Sequence, residues 1–266
     1  MKIQANESLD DKVINIIEQF KPYRDQFCEF LKLTCLHFDD EALVDDLLSF
    51  LEKVLSYEFP PKDMMSYNEQ WFDSYRFIGM ELFIYITAVL IKHRKFILLD
   101  ILIEEKYYVS KPHDRGTYSF TRFNSHLRSL DEQRNQRLGL NRISVTADLF
   151  HDRADVPGLS FDSIMEADFI LCLRSIFASN NQLESWFPKT LVYKDRYHGA
   201  TFELFARAES PRYFQILKQI LHVDSKKELI DKLEKAYEVH GLERWTFDHQ
   251  RIPFKLYMNI DKLCEA

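Results

Sequence analysis

Arginine replaces lysine in one long stretch of the chain, from Pro112 to Pro188, where no lysine occurs. The planar guanidinium group can bind a carboxylate or a phosphate through two parallel hydrogen bonds, which a lysine ammonium group cannot do. This substitution pattern indicates that arginine is used here for its geometry. The arginines that we assign to a partner-binding or phosphate-binding surface are Arg122, Arg128, Arg134, Arg137 and Arg142.

Two interpretations of these arginines are open. They could bind the phosphates of a nucleic acid, or they could pair with carboxylates of the same region and face a protein partner. Between Lys111 and Arg153 the chain has eight basic and five acidic residues, which is a small basic excess for a nucleic-acid site. The charge count therefore favours internal pairing or a protein interface. The acidic residues available for pairing are Asp131, Glu132, Asp148 and Asp152.

A second set of candidate residues consists of His126 and the pair His151-Asp152, which follows 25 residues later. Imidazole and carboxylate groups could ligate a metal ion that activates water for hydrolysis. This pattern resembles the start of the motif of HD-domain phosphohydrolases, whose helical core binds metal through a His, a His-Asp pair and a later Asp. The sequence departs from that motif at Arg153, where an apolar residue is expected. The alternative is that these residues are solvent-facing positions at the end of a short helix.

Glu81 lies within the most apolar run of the chain, Phe77–Ile91. Such a residue could be a perturbed carboxylate that faces a cavity. Because an unpaired buried charge is costly, we instead predict that an Arg or Tyr side chain from a neighbouring element satisfies it. The run is shorter than the roughly 20 residues of a membrane span. We therefore predict a buried core helix and no membrane partner.

The composition indicates a helical protein of the cytoplasm. The 266 residues include only 6 glycines and 8 prolines, so backbone positions with positive φ must be scarce. The net charge of −7 gives no overall attraction to nucleic acid or to an anionic membrane. The four cysteines lack metal-site spacing and are expected to be free thiols. The common nucleotide, dinucleotide, serine-hydrolase and zinc motifs do not occur, and no cofactor is predicted.

Helical periodicity places the candidate residues in an all-α, multi-helix globular bundle. Apolar spacing predicts a helix from Leu9, which Pro22 either kinks or divides in two. Ser225 and Glu228 form a capping box for a helix that Gly241 ends. Further helices are predicted over Trp71–His93, Lys95–Tyr107, Phe161–Ile176 and Tyr213–His222. Apolar residues assigned to the first helical region include Val13, Ile16, Ile17, Phe20, Phe27, Phe30, Leu31 and Leu33.

One segment, residues 189–193, favours a short strand or an extended conformation because it is rich in β-branched and aromatic residues. We predict a single helical domain over residues 1–266. Loop-forming residues allow a subdomain joint at 110–116 or at 156–159.

Three runs, Leu140–Leu149, Met165–Ile170 and Glu203–Ala208, resemble the helical C-terminal region of some bacterial antiviral-defence proteins. The resemblance implies a sensing or docking module whose chemistry lies in another domain or protein. We therefore expect a non-enzymatic interaction or regulatory module that belongs to a bacterial antiviral-defence or stress complex and binds a protein partner. The alternatives are an HD-like metal-dependent phosphohydrolase and a nucleic-acid-binding protein that uses the arginine-rich region 122–142.

Overall fold

The chain folds into a mainly helical structure, as the sequence predicts. Its two compact units comprise residues 1–158 and 159–266, and the division falls within the 156–159 segment. We call these unit 1 and unit 2. The computed structural model describes residues 7–38, 40–61, 64–110, 115–179, 181, 184–196 and 200–265.

Unit 1 contains long helices in its first half and short elements in its second. The helices of the first half are α1 (Leu9–His37), α2 (Asp40–Ser56), α3 (Asp73–Lys92) and α4 (Phe96–Glu104). The later elements are β1 (Tyr107–Ser110), β2 (Arg115–Tyr118), a π-helix (Ser129–Arg134), α5 (Asn135–Arg137) and α6 (Val145–Asp152). Short 3₁₀-helices cover Glu69–Phe72 and Phe120–Phe123.

The first helical region is one continuous helix rather than two. Ser8 caps α1 by accepting a hydrogen bond from the backbone N–H of Asp11. Pro22 lies inside this helix on its exposed side. Burial of one stripe of α1 against α3 supplies the stability that the missing backbone hydrogen bond would have given.

The helix α3 forms the core of unit 1 and contacts α1, α2 and α4. It is buried on all sides from Phe77 to Leu90. Among the described residues, one segment, Glu69–Lys92, has the length and composition of a membrane span, and 83% of its most apolar window is buried in the protein. This burial favours the predicted core helix.

The structure places β-strands on both sides of the loop predicted at 110–116, and β1 begins at Tyr107, where the sequence predicted the end of a helix. β1 and β2 pair in antiparallel register, with Tyr107 opposite Tyr118 and Ser110 opposite Arg115. Tyr107 and Val109 point into the core, which explains the stability of so short a hairpin. Residues 111–114 of the predicted 110–116 joint lie outside the described residues.

Unit 2 is built around α7. Phe169 of this helix lies between four aromatic rings, those of Phe202, Phe205, Phe254 and Tyr257, at centroid distances of 5.2 to 5.9 Å. The helices of the unit are α7 (Phe161–Ala178), α8 (Glu203–Arg207), α9 (Pro211–Leu221), α10 (Lys226–His240) and α11 (Phe254–Tyr257). Its other elements are β3 (Thr246–Phe247), β4 (Gln250–Arg251) and 3₁₀-helices over Lys189–Tyr193, Leu242–Arg244 and Ile260–Lys262.

The segment 189–193 is a 3₁₀-helix, so the predicted strand or extended conformation is wrong. The buried carboxylate of Asp168 accepts hydrogen bonds from the backbone N–H and the hydroxyl group of Thr190. These bonds to one carboxylate fix a tight turn, and no strand among the described residues pairs with it. The conformation is therefore set by a contact that is distant in sequence.

The predicted capping box of α10 is confirmed on one side and modified on the other. The Ser225 hydroxyl accepts from the backbone N–H of Glu228, while the Glu228 carboxylate accepts from the backbone N–H of Asp224. Gly241 ends the helix with φ of 62°, a conformation that suits glycine. Pro211 occupies the first turn of α9, where its missing backbone N–H removes no helical hydrogen bond.

Candidate functional site

Two of the candidate arginines bind the N-terminal turn of α1. Arg134 Nη1 lies 2.6 Å from Asp11 Oδ1, and Arg137 Nη2 lies 2.6 Å from Asp10 Oδ2. Burial raises the pKa of Asp10, but hydrogen bonds from Arg137 and Ser8 outweigh this effect, so the pKa is lowered overall. These arginines fasten the π-helix and α5 to α1.

The other candidate arginines also meet carboxylates of unit 1. Arg142 forms a bidentate pair with Asp148, at 2.6 and 2.9 Å. Arg128 binds Glu132 at 3.2 Å. Arg122 lies 3.4 Å from a carboxylate oxygen of Glu58, with its guanidinium group over the Phe59 ring. All five arginines therefore have carboxylate partners in the same unit. Of the carboxylates that the sequence offered for pairing, Glu132 and Asp148 bind candidate arginines, whereas Asp131 accepts from Thr146 and Asp152 contacts His151.

The π-helix itself connects several parts of unit 1. The backbone N–H of Ser129 donates to Asp73 at the start of α3. The side-chain amide of Gln133 donates to the side-chain oxygen of Gln70, which lies in the 3₁₀-helix before α3. Asp131 accepts from the backbone N–H and the hydroxyl group of Thr146 in α6. The arginine-rich region thus joins helices from distant parts of the sequence.

The three residues of the possible metal site make separate contacts. His126 Nε2 lies 3.0 Å from Glu132 Oε1, whereas His151 Nδ1 lies 3.2 Å from Asp152 Oδ1 at the end of α6. Within the described residues, no group of three ligating atoms within 4.8 Å of one another includes His126, His151 or Asp152. The structure does not bring this set together as a metal site.

The prediction for Glu81 is confirmed. Its buried carboxylate binds Arg24 Nη1 at 2.8 Å and the Arg153 guanidinium group at 2.9 and 3.0 Å. Arg24 also donates to the hydroxyl oxygen of Tyr85. Desolvation lowers the pKa of Arg24, but Glu81, Tyr85 and Asp25 together raise it more, so the guanidinium group stays charged. This cluster connects α1, α3 and the segment after α6.

A continuous apolar surface on α1 was not recognised in the sequence. Ile16, Phe20, Tyr23, Phe27 and Phe30 are spaced alternately by four and three residues, which is the spacing of a coiled-coil seam. Tyr23 and Phe30 are 65% and 66% exposed. This row lies beside the buried stripe of α1, and the two rows together looked like one broad core face in the sequence.

The surface continues across α2 to the beginning of α3. Phe27 stacks on Phe50 of α2, with ring centroids 4.7 Å apart. Tyr57, two helical turns beyond Phe50, stacks on Tyr75 at 5.8 Å. Trp71 precedes Tyr75 by one turn and is 49% exposed. We call the whole set the aromatic band: Ile16, Phe20, Tyr23, Phe27, Phe30, Phe50, Tyr57, Trp71 and Tyr75.

The aromatic band is suited to binding rather than to chemistry. Its members offer apolar rings and two kinds of polar tip, the tyrosine hydroxyl and the indole N–H. The nearest cation described on it is Lys53, whose Nζ atom lies 5.4 Å from the centre of the Tyr57 ring. Large exposed apolar patches on soluble proteins mark interaction sites. The sequence signal that could have found the band is the alternating four-and-three spacing on α1.

Comparison with known proteins leaves the function to be argued from these features. No family model, curated protein or solved structure matches the chain.

Proposed function

We propose that unit 1 is a non-enzymatic interaction module whose aromatic band binds a helical segment of a protein partner. The observation that carries the proposal is the exposure of Tyr23, Phe30 and Trp71 on the elements that also carry two stacked ring pairs, Phe27–Phe50 and Tyr57–Tyr75. Trp and Tyr are the residues that most often dominate the energy of protein interfaces. Burial of this band would supply the apolar core of such an interface.

The spacing on α1 supports a helical occupant. From Ile16 to Phe30 the row spans 14 residue steps, or about 21 Å of helix. A partner helix with its own apolar stripe can pack along such a row with knobs-into-holes geometry. An extended nucleic-acid strand would instead need cations along the row. The candidate arginines are engaged by carboxylates, which favours a protein partner over nucleic acid.

The expected setting is an assembly of the bacterial cytoplasm. The three runs that resemble antiviral-defence proteins suggest a defence or stress complex, in which this chain would be a regulatory subunit. Arg134 and Arg137 support the band indirectly in this proposal, because they hold the π-helix against the N-terminal turn of α1. Their role is structural support rather than direct contact with the partner.

The proposal is tested by changing the exposed rings. Tagged protein is purified from its native host with Tyr23→Glu and Phe30→Glu introduced together, and co-purifying proteins are quantified by mass spectrometry. We expect a stoichiometric partner with the unchanged protein and at least a tenfold loss with the double variant. Ile97→Glu is the matched control, because Ile97 is 69% exposed on α4 and lies outside the band. It should keep the partner.

Hydrogen exchange of the purified complex then locates the contact. Protection on partner binding should appear in α1 and around Tyr75, and it should be absent in α4. A partner that the double variant binds normally would refute the band as the interface. If light scattering showed that the protein self-associates through the band, the occupant of the band would be a second copy of this chain rather than another protein. Co-purified nucleic acid whose affinity falls steeply with salt would favour the nucleic-acid alternative.

A further inference from the structure

Unit 2 contains a serine and a histidine in contact, separated by 55 residues in the sequence. Ser185 Oγ lies 2.7 Å from His240 Nδ1. The other ring nitrogen, Nε2, lies 2.8 Å from the backbone carbonyl oxygen of Ser179. His240 is buried, whereas Ser185 is half-buried and reachable from solvent. Neither residue belongs to the aromatic band.

These two contacts fix where the protons are. A carbonyl oxygen can only accept, so His240 Nε2 must carry the hydrogen of the contact with Ser179. The Nδ1 atom of the neutral ring is then an acceptor, and the Ser185 hydroxyl must donate to it. The serine proton therefore already points at a base, and a third group orients that base. This is the arrangement of an activated serine nucleophile.

The surroundings of His240 hold its ring in place. His240 is the last residue of α10, and its Nε2–H group donates to the carbonyl oxygen of Ser179. This hydrogen bond keeps the Nδ1 atom directed at the Ser185 hydroxyl group. The Ser179 carbonyl is a positioning group in this arrangement, because it acts through the imidazole.

We propose that Ser185 is a nucleophile toward activated esters and related electrophiles, with His240 as its general base. The Ser185 Oγ atom forms a bond to the acyl carbon while its proton passes to His240 Nδ1. The ester carbon–oxygen bond breaks, and the leaving alkoxide takes the proton from the imidazolium. Water then hydrolyses the acyl-serine with the same base. This activity goes beyond the binding function proposed for unit 1 and does not depend on it.

The test uses the full chain and a fluorophosphonate probe, with the modified residue identified by peptide mass spectrometry. The Ser185 Oγ atom should displace fluoride from phosphorus and keep the phosphonyl group. Ser185→Ala should remove the adduct, and His240→Gln should slow its formation by about 100-fold, since general-base catalysis has this size. The matched control is Ser210→Ala, which removes another half-buried hydroxyl group of unit 2, one that makes no capping hydrogen bond and has no place in this arrangement. It should label at the normal rate.

A second measurement covers the case in which His240→Gln does not fold. The unchanged protein is compared with Ser185→Ala in the hydrolysis of p-nitrophenyl acetate. A burst of p-nitrophenolate that Ser185→Ala abolishes would support the proposal. The absence of a Ser185 adduct, or a burst that Ser185→Ala keeps, would overturn it. Equal rates in a folded His240→Gln variant would also overturn it.

Discussion

The two units bury carboxylates in different ways. In unit 1, Glu81 is bound by two buried arginines, Arg24 and Arg153. In unit 2, Asp168 and Glu166 receive hydrogen bonds from neutral N–H and O–H groups. A cation compensates the charge of a carboxylate, whereas neutral donors only solvate it in part. The stability of unit 1 should therefore depend on the balance between its buried cations and carboxylates. The stability of unit 2 should depend on pH.

The pKa values of unit 2 follow from this difference. Asp168 accepts hydrogen bonds from the Trp186 indole at 2.6 Å and from Thr190, yet desolvation still raises its pKa. Glu166 accepts one from the backbone N–H of Leu204 at 2.7 Å, and desolvation raises its pKa to about 7. Burial therefore dominates where no cation is bound to the carboxylate.

The largest expected effect comes from removing the buried negative charge of Glu81 in unit 1. Glu81→Gln keeps the shape of the side chain but removes the fully buried counter-ion that Arg24 and Arg153 share, which leaves them with the partly exposed carboxylates of Asp25 and Glu18. The free energy of unfolding, measured by urea denaturation, should fall by about 3–5 kcal/mol. Glu18→Gln is the control, because Glu18 contacts Arg153 from a position where its side chain is 48% exposed. It should cost at most about 1 kcal/mol. Equal losses in the two variants would show that the buried carboxylate of Glu81 matters no more than the exposed carboxylate of Glu18.

The second effect is the pH dependence of unit 2. The folded-state pKa of Glu166, about 7, lies above its ordinary value of 4.5, so folding favours the protonated form. The contribution of Glu166 to stability is therefore full below pH 4.5 and is lost as the pH rises through 7, a change of about 3 kcal/mol.

The Glu166→Gln variant isolates this contribution. Its free energy of unfolding should change with pH less steeply between pH 5 and pH 8 than that of the unchanged protein. The comparison must be made as a difference between the two curves, because Asp168 also has a raised pKa and contributes in the same direction. Two parallel curves would show that the pKa of Glu166 in the folded protein is close to its ordinary value of 4.5.

A third variant, Asp168→Asn, makes the same isosteric change in unit 2 as Glu81→Gln makes in unit 1. The amide keeps one acceptor oxygen, so either the Trp186 indole or Thr190 loses its partner. We expect a loss of about 1–3 kcal/mol in the free energy of unfolding, the cost of unsatisfied buried donors. The loss should be smaller than for Glu81→Gln, since no buried cation is left behind. A larger loss would reverse the comparison between the units.

The sequence predicted the features that depend on neighbouring residues. The capping serine of α10 and the glycine that ends it lie within one helix, and both are confirmed. The partners of Glu81 were predicted by type, because a carboxylate in an apolar helix requires a cation or a hydroxyl group. Which arginines these are could not be predicted, since they lie 57 and 72 residues away in the sequence.

The features that the sequence missed depend on distant contacts. The 3₁₀-helix at 189–193 is fixed by Asp168, and its composition alone suggested a strand. The β1–β2 hairpin is too short to show a clear alternating pattern. The aromatic band was hidden because exposed and buried apolar residues alternate along α1. Ser185 and His240 belong to no local motif, so only the fold brings them together.

The smallest effect concerns Asp10, a carboxylate of unit 1 whose pKa moves in the opposite direction to that of Glu166. Burial raises the pKa of Asp10, but the hydrogen bonds from Arg137 and Ser8 lower it further, so folding favours the ionised form. Its stabilising contribution is therefore present above the ordinary pKa of 3.8 and is lost as the pH falls through the folded-state value.

Asp10→Asn should cost about 1 kcal/mol at pH 7, because its partner Arg137 is 41% exposed and water weakens the pair. The loss of stability in Asp10→Asn should be present at pH 7 and should shrink below pH 4, whereas Glu166→Gln should become more stable than the unchanged protein as the pH rises from 5 to 8. If the two variants differed from the unchanged protein with the same sign at pH 8, arginine pairing could not be what separates the two units.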